Sequence, residues 1–343
     1  TTWTLPNGPA GGPYDADHMN LAIGTVNWQY HQGYYNCALM ASNTDADQIR
    51  LGGLNLYGSD DGGATFYALA GYVGGPYSMH VDMQDFRNIG ATTWLTCDGG
   101  IYRSTDFFNS AGFESRMYGI HSSDYWGFGS GWNEDVLIGG LYHNGNLSYH
   151  ENYGDGNFLQ LGGGEPASGY VNQGENRRVY SSDINGKIMP ENIGDSVINV
   201  GFGIDPNERY WAAESTELEF DPRCYSIAYT GKDHQLWRTD DKGTTFTLFK
   251  EFGSDVDNRI TYIEQSWSNP DVMYVCQQNV NPSSSGTLWK TTDGGQNWNS
   301  IALPSVSNSR KMLIQVDPTD HQKVWIAFES SSNGQRVYKS VNG

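Results

Sequence analysis

The chain has little charge, few basic residues and no long apolar run. Charged residues make up only 17% of its 343 residues, whereas disordered chains are usually rich in charge. No run of about 18 apolar residues occurs, so no transmembrane helix is predicted. Only 20 Lys and Arg stand against 39 Asp and Glu, which gives a net charge of −19. Such a chain repels phosphate backbones, so nucleic acid is not an expected partner, and an acidic surface suits an extracellular protein.

Cysteine is also scarce, and its spacing argues against two kinds of site. Four cysteines are too few for a disulfide scaffold of this size, and no two of them form the CxxC pair typical of zinc sites. We therefore expect buried thiols packed inside the sheets. The four residues are Cys37, Cys97, Cys224 and Cys276.

Glycine, by contrast, is abundant. The 43 glycines lie among short apolar segments, a pattern that predicts an all-β chain with many turns. An eight-residue pattern, Ser/Thr-x-Asp-x-Gly-x-x-aromatic, occurs three times and is called the box below. Its defining residues are Ser59, Asp61, Gly63 and Phe66; Thr239, Asp241, Gly243 and Phe246; and Thr291, Asp293, Gly295 and Trp298.

Weaker copies of the box fill the gaps between these three. They begin near Ser104, His150, Glu191 and Ser340, and they lack the glycine, the acid or most of the pattern. Seven copies in 343 residues give a repeat of about 49 residues, the length of a four-stranded propeller blade. The sequence therefore predicts an all-β, seven-bladed β-propeller with four antiparallel strands in each blade.

The two ends of the chain predict how such a ring would close. Ser340 and Asn342 begin a box at the C-terminus, and Trp3 resembles the end of one. Pairing the N-terminal strand with the last blade would complete that box and remove an open sheet edge. The absence of Met and of a signal peptide at Thr1 suggests part of a longer precursor. The predicted single propeller has blades at about 14–70, 71–113, 114–160, 161–197, 198–250, 251–301, and 302–343 together with 1–6.

We expect the box to be a structural turn. The hydroxyl and the carboxylate can bind backbone N–H groups inside the turn, and glycine supplies a positive φ. The closing aromatic residue packs beneath it. The box aspartates are therefore not expected to be catalytic acids.

At the boxes the chain resembles the Asp-box (BNR-repeat) β-propeller superfamily, which includes sialidases, the sortilin ectodomain and two-propeller xyloglucanases. Residues 80–85, 97–104 and 139–145 are most similar to secreted surface propellers of Bacteroidetes-like bacteria, which are often exported by a type IX system. The resemblance covers the chain blade by blade and implies an extracellular or cell-surface location. Gln84 and His143 depart from the His and Asp usual in those relatives. The fold by itself does not fix the function.

The sequence does not contain all the catalytic residues that sialidases and xyloglucanases use. Sialidases need three arginines, a Tyr–Glu nucleophile pair and an Asp acid, but the early Arg-Ile-Pro signature is absent and the first arginine is Arg50. Xyloglucanases of this kind place one carboxylate on each of two propellers, which a single propeller cannot reproduce. A glycoside hydrolase, or one propeller of such an enzyme, remains an alternative.

The least repetitive segment, residues 118–143, is the candidate binding region because excess residues between strands form loops. Trp126 and Trp132 are candidates to stack on sugar rings or to anchor a protein partner, or they simply cap the channel. A second candidate group could meet near the axis and bind a metal ion. Its members are His80, Asp82, His121 and His143.

The leading hypothesis is a non-catalytic secreted or cell-surface scaffold for adhesion that binds a glycan or a protein. The alternatives are the glycoside hydrolase and a structural spacer in a large surface protein, where other domains of the precursor would be its partners. No cofactor is expected. Ca²⁺ is possible at Asp45 and Asp47 or in the loop 152–155, but neither has EF-hand spacing and ordinary solvated turns explain both.

Overall fold

A computed structural model describes most of the chain. The described residues are 35–72, 74–120, 125–141, 145–162, 169–181, 185–204, 218–279, 286–303, 312–329 and 334–343. The chain divides into two compact units, Thr1–Ser122 and Ser123–Gly343. Trp3 and the N-terminal strand expected to close the ring lie outside the described residues. The closure and the single-domain arrangement therefore stay predictions.

The first unit contains two four-stranded sheets, A and B, each a meander whose neighbouring strands are antiparallel. Sheet A consists of β1 (Ala38–Ala41), β2 (Ile49–Gly52), β3 (Leu56–Ser59) and β4 (Tyr67–Ala70). Sheet B consists of β5 (Met83–Ile89), β6 (Thr92–Cys97), β7 (Gly100–Ser104) and β8 (Glu114–Ser115).

The second unit contains five sheets, C to G, and one short 3₁₀ helix, η1 (Glu151–Tyr153). Sheet C is β9 (Tyr125–Ser130), β10 (Val136–Leu141), β11 (Gly145–His150) and β12 (Leu159–Gly162); sheet D is β13 (Gly169–Val171), β14 (Arg178–Ser181), β15 (Asn185–Ile188) and β16 (Ile198–Asn199). Sheet E is β17 (Leu218–Phe220), β18 (Ala228–Lys232), β19 (Gln235–Thr239) and β20 (Thr247–Glu251); sheet F is β21 (Asn258–Gln265), β22 (Met273–Asn279), β23 (Thr287–Thr291) and β24 (Asn299–Ile301). Sheet G is β25 (Met312–Asp317), β26 (Asp320–Phe328) and β27 (Val337–Ser340).

Seven successive antiparallel meanders confirm the predicted fold class, an all-β seven-bladed β-propeller. Six sheets have four strands, and sheet G has three among the described residues. None of the described helices is long and apolar enough to cross a membrane.

The strands follow the alternation that a sheet requires, and the core lies between successive sheets. In β25, buried and exposed side chains alternate from Met312 to Val316. In β22, by contrast, the side chains from Met273 to Gln278 are all buried, because this strand has neighbours on both of its faces. One apolar cluster joins sheets A and B, and separate clusters join sheets within the second unit.

The expectation of four buried thiols is wrong for two of the cysteines. Cys97 and Cys276 are buried at strand positions, whereas Cys37 and Cys224 are exposed. Cys37 precedes β1, and Cys224 lies in the hairpin turn between β17 and β18. Both lie outside the hydrogen-bonded strands, where no neighbouring sheet covers them.

The three full boxes form the same set of hydrogen bonds. In the box between β19 and β20, the Thr239 hydroxyl donates to Asp241 Oδ1 (2.8 Å) and accepts the backbone N–H of Gly243 (2.9 Å). Asp241 accepts the backbone N–H and the hydroxyl of Thr245, at 2.8 and 2.7 Å. The corresponding bonds occur in the boxes that begin at Ser59 and Thr291.

These bonds also stabilise the charged form of the box carboxylate. Hydrogen bonds from the Thr65 side chain and backbone, and from Ser59, lower the pKa of Asp61 to about 2. The aspartate is therefore held as an anion, with its oxygens occupied by N–H and O–H donors of the turn.

The copy at Ser104 forms the same turn although it lacks both glycines. Ser104 donates to Asp106 Oδ1 (2.7 Å) and accepts the N–H of Phe108 (2.8 Å). Phe107 and Phe108 have φ values of 61° and 57°, where the box at Ser59 has glycines with φ of 71° and 88°. Burial of Phe108 and Phe107 in the core offsets the unfavourable backbone conformation.

Thr239→Val is expected to lower the free energy of unfolding by about 1–2 kcal/mol. Valine preserves the shape of the buried threonine but leaves the buried N–H of Gly243 without its acceptor. Urea denaturation measures the effect, and Thr247→Val, at an exposed position of β20, is the matched control. Equal effects of the two substitutions would show that the hydroxyl is not needed for the turn.

Candidate ligand-binding surface

Four hairpin loops of the second unit form one continuous surface. Each joins the first and second strands of its sheet, and together they come from sheets C, D, E and F. Their residues are 131–135, 172–177, 221–227 and 266–272. These equivalent loops contact one another, so we describe them together as the hairpin surface.

Hydrogen bonds from amide side chains hold neighbouring loops of this surface together. Asn176 Oδ1 accepts the backbone N–H of Asn133 at 2.6 Å, which joins the loops of sheets C and D. Asn172 Nδ2 donates to the backbone carbonyl of Tyr225 at 2.6 Å, which joins those of D and E. Because Asn172 and Asn176 are buried, these bonds fix the loop backbones and are little weakened by competing water.

Three aromatic side chains meet on the hairpin surface and are called the aromatic platform below. The ring of Trp132, from sheet C, lies 5.1 Å from that of Trp267, from sheet F, with 43° between their planes. Tyr225, from sheet E, meets Trp132 edge to face at 5.9 Å. The two tryptophans remain 56% and 49% exposed, which is unusual for the largest apolar side chains.

Charged side chains beside the platform form ion pairs. Arg223 donates to Asp221 Oδ2 at 2.6 Å and to Asp271 Oδ1 at 2.9 Å. Burial alone would raise the pKa of Asp221, but hydrogen bonds from Arg223 and Gln265 bring it below its ordinary value. Both carboxylates are paired with Arg223, and the low pKa of Asp221 argues against that residue as a proton donor.

Amide side chains also lie on the hairpin surface. Asn133 Nδ2 donates to the backbone carbonyl of Gln173 at 3.3 Å, and Gln173 Nε2 donates to the carbonyl of Ser130 at 2.7 Å. The remaining oxygen of Gln173, Oε1, is buried without a hydrogen-bond partner. The surface therefore combines exposed rings with uncharged polar groups.

The predicted site residues are only partly described by the structure. Trp132 belongs to the platform; Trp126 lies in β9, and its side chain is outside the described part. His121 and His143 fall outside the described residues, so their meeting with His80 and Asp82 stays a prediction. Asp82 is buried before β5 in the first unit, and the Nδ1 atom of His80 lies 3.2 Å from the carbonyl of Val81.

Sequence reasoning missed two members of the platform, Tyr225 and Trp267. Both follow the first strand of a blade, as Trp132 does, and this shared position is the signal that could have found them. Asp45 and Asp47, considered for calcium, lie in an exposed turn in which the Asp45 carboxylate accepts the N–H of Asp47 at 3.1 Å. Within the described ranges, no three His, Cys, Asp or Glu side chains are grouped as for a metal ion.

No protein-family model matches the sequence, and no curated protein matches it. Among solved structures, YCF48 from Cyanidioschyzon merolae is similar over 88% of this chain and 94% of its own, with 10% identity and a TM-score of 0.37. The β-propeller domain of Cps50 (Swd1) from Myceliophteria thermophila is similar over 76% of this chain and 86% of its own, with 10% identity and a TM-score of 0.44. The extracellular domain of the one-component system BT4673 from B. thetaiotaomicron is similar over 88% of this chain, with 12% identity and a TM-score of 0.44; this chain spans 38% of that domain's length.

Proposed function

We propose that the protein is a non-catalytic binding scaffold that holds a glycan on the aromatic platform of Trp132, Tyr225 and Trp267. The observation that carries the proposal is the exposure of two tryptophans in contact with each other on loops whose backbones are fixed. Binding residues concentrate on loops of rigid scaffolds, and exposed tryptophans are frequent anchors in binding sites.

A neutral glycan fits the platform better than a charged ligand. The faces of sugar rings are apolar and can lie flat against indole rings, while their hydroxyls need donors and acceptors at the edge. Asn133 and Gln173 supply amide groups on the same hairpin surface. The nearby charged side chains of Arg223, Asp221 and Asp271 are joined in ion pairs, and Glu134 of the same surface pairs with Arg177. A protein that presents an apolar side chain is the competing ligand.

The paired carboxylates support binding without hydrolysis. A glycosidase needs two carboxyl groups about 5–10 Å apart on either side of the bond, one of them able to donate a proton. Asp221 and Asp271 both bond to the same arginine, and the pKa of Asp221 is low. Membership of the Asp-box superfamily and a secreted or cell-surface location remain parts of this proposal, supported by the box turns and the net charge of −19.

A glycan-array screen of the purified chain, read for retention and for cleavage, tests the proposal. We expect retention of a neutral oligosaccharide without cleavage. Trp132→Ala and Trp267→Ala should each weaken binding at least about 30-fold, the effect of removing a central aromatic anchor. Tyr72→Ala, at an exposed tyrosine of the first unit, is the control and should leave binding unchanged.

Three other outcomes would contradict the proposal in different ways. Cleavage would favour the glycoside hydrolase. Retention that survives both tryptophan substitutions would place the glycan elsewhere on the chain. Neither retention nor cleavage on the array would favour a protein ligand or the structural spacer.

A further inference from the structure

A group of polar side chains with unused oxygens lies at the end of sheet B in the first unit. Asp82 is 2% exposed, and its Oδ1 atom has no hydrogen-bond partner. Asn36 is 3% exposed, and neither its Oδ1 nor its Nδ2 atom has one. A buried polar atom without a partner lowers the free energy of unfolding by about 1–3 kcal/mol. These atoms are therefore candidates to bind a ligand.

The two side chains lie close together. The Asn36 side chain lies beside the Asp82 carboxylate, and the two form no hydrogen bond of normal geometry. Both side chains therefore border the same small region. Asp82 also has a positive φ of 65°, a conformation that is uncommon for residues other than glycine and that here directs its side chain into the interior.

A second carboxylate, Asp98, lies beside this region. The Asp98 backbone N–H donates to the carbonyl of Asp82 at 3.3 Å. Its carboxylate accepts Gln84 Nε2 at 2.9 Å and the hydroxyl of Tyr35 at 3.1 Å. Asp98 is half-buried and Tyr35 is half-exposed, so the group extends from the interior to the surface.

The two carboxylates lack a compensating cation among the described side chains. No Lys or Arg in that part of the chain forms an ion pair with either of them. Asp82 is buried and Asp98 is half-buried, so water screens their mutual repulsion only weakly. Two neighbouring carboxylates, one of which has a buried oxygen without a hydrogen-bond partner, are the arrangement that a bound cation would stabilise.

We propose that Asp82, Asp98 and Asn36 bind a Ca²⁺ ion, with water completing the coordination. Calcium takes six to eight oxygen ligands in flexible geometry, and it accepts carboxylates and amide carbonyls alike. The protein supplies Asp82 Oδ1, the Asp98 carboxylate and Asn36 Oδ1. The site differs from the calcium positions that the sequence suggested at Asp45 and Asp47, and it does not depend on the proposed glycan binding.

The neighbouring groups disfavour zinc. Zinc prefers thiolate and imidazole ligands. Cys97, adjacent to Asp98, is buried in the apolar cluster that joins sheets A and B. The Nδ1 atom of His80 lies 3.2 Å from the carbonyl of Val81. A donor set made mainly of carboxylate and amide oxygens favours a hard cation.

Calcium titration of the purified full chain after treatment with EDTA tests the proposal. We expect a Kd of about 10⁻⁴–10⁻³ M, the range of extracellular calcium modules. At one hundred times Kd, the Tm should rise by about 3–6 °C. Bound Tb³⁺ should luminesce on excitation of tyrosine, because the Tyr35 hydroxyl contacts Asp98.

Asp82→Asn and Asp98→Asn should each weaken Ca²⁺ binding at least about 10-fold, since each removes one of two charged ligands. Asp85→Asn is the matched control, because Asp85 follows in β5 and pairs with the exposed Arg87 instead. Asparagine tolerates a positive φ, so Asp82→Asn should remain folded in EDTA, which circular dichroism checks.

Three results would overturn the proposal. The first is a Tm that does not respond to Ca²⁺. The second is an unchanged response in Asp82→Asn. The third is a larger Tm shift with Zn²⁺ or Mg²⁺ than with Ca²⁺ at equal concentration.

Discussion

Arg50→Met is expected to lower the free energy of unfolding by about 3–5 kcal/mol, as expected when one partner of a buried charged network is removed. Arg50 is completely buried in β2 of sheet A. Its Nε atom donates to the carbonyl of Phe107 and its Nη1 atom to that of Ile49, both at 2.9 Å. Its Nη2 atom bonds to Asn109 Oδ1. Methionine fills similar space but leaves these acceptors buried without donors.

The turn at Ser104 is a second source of the free energy of unfolding that is lost in Arg50→Met. The Arg50 guanidinium lies 5.0 Å from the centre of the Phe107 ring and holds its carbonyl, while Phe107 keeps a positive φ of 61°. Removing the guanidinium removes a contact that stabilises this strained backbone. We therefore expect the turn between β7 and β8 to lose hydrogen-exchange protection first.

Urea denaturation of Arg50→Met, Arg50→Lys and the wild type measures the effect. Lysine keeps the charge but lacks the planar set of donors, so it should recover only part of the stability. Arg87→Met is the control, because the Arg87 side chain is 75% exposed and pairs only with Asp85. A loss below about 1 kcal/mol in Arg50→Met would contradict this description of the network.

Asp82→Asn is expected to raise the free energy of unfolding by about 3 kcal/mol near pH 7.5 in the presence of EDTA. Burial and the neighbouring charge of Asp98 raise the pKa of Asp82 from 3.8 to about 6. Each unit of pKa difference corresponds to about 1.4 kcal/mol. The ionised carboxylate therefore destabilises the folded chain, and a neutral amide of the same shape does not.

Because the pKa of Asp82 is raised in the folded state, the stability difference between wild type and variant depends on pH. Below pH 3.8 the carboxyl group is protonated in both the folded and unfolded states and contributes nothing. Between pH 3.8 and about 6 the unfolded chain loses the proton first, so stability falls as the pH rises. Above about pH 6 both states are ionised and the loss is constant. The advantage of Asp82→Asn should therefore shrink to about 1 kcal/mol near pH 4.5.

Urea denaturation of wild type and variant at both pH values measures the difference, in which contributions of the other titrating groups largely cancel. Asp85→Asn should change stability by less than about 0.5 kcal/mol at either pH. A destabilised Asp82→Asn in EDTA would show that the ionised carboxylate already has a favourable partner. Adding Ca²⁺ should reduce the advantage of the variant, because the ion would stabilise the wild type alone.

The sequence by itself determined the fold class, because the repeat is a local property. A box needs a hydroxyl, a carboxylate and residues of positive φ within about eight positions, so Thr239, Asp241 and Gly243 can be read directly from the chain. The spacing of such turns, with short strands between them, then fixed the number of sheets. The same pattern classed the copy at Ser104 as incomplete, because the pattern requires a glycine that this copy lacks.

Only the tertiary structure decided the features that depend on residues far apart in the chain. The turn at Ser104 forms because Arg50 and the core hold Phe107 and Phe108, and no local pattern contains that contact. Trp132 was recognised as a candidate, but its contact with Trp267, 135 positions later, follows from the packing of equivalent loops. Asp82 was a candidate metal ligand beside histidines, whereas nothing in the sequence marks Asn36 as its neighbour. Their burial without hydrogen-bond partners, which makes them a candidate ion site, exists only once strands from two sheets have packed together.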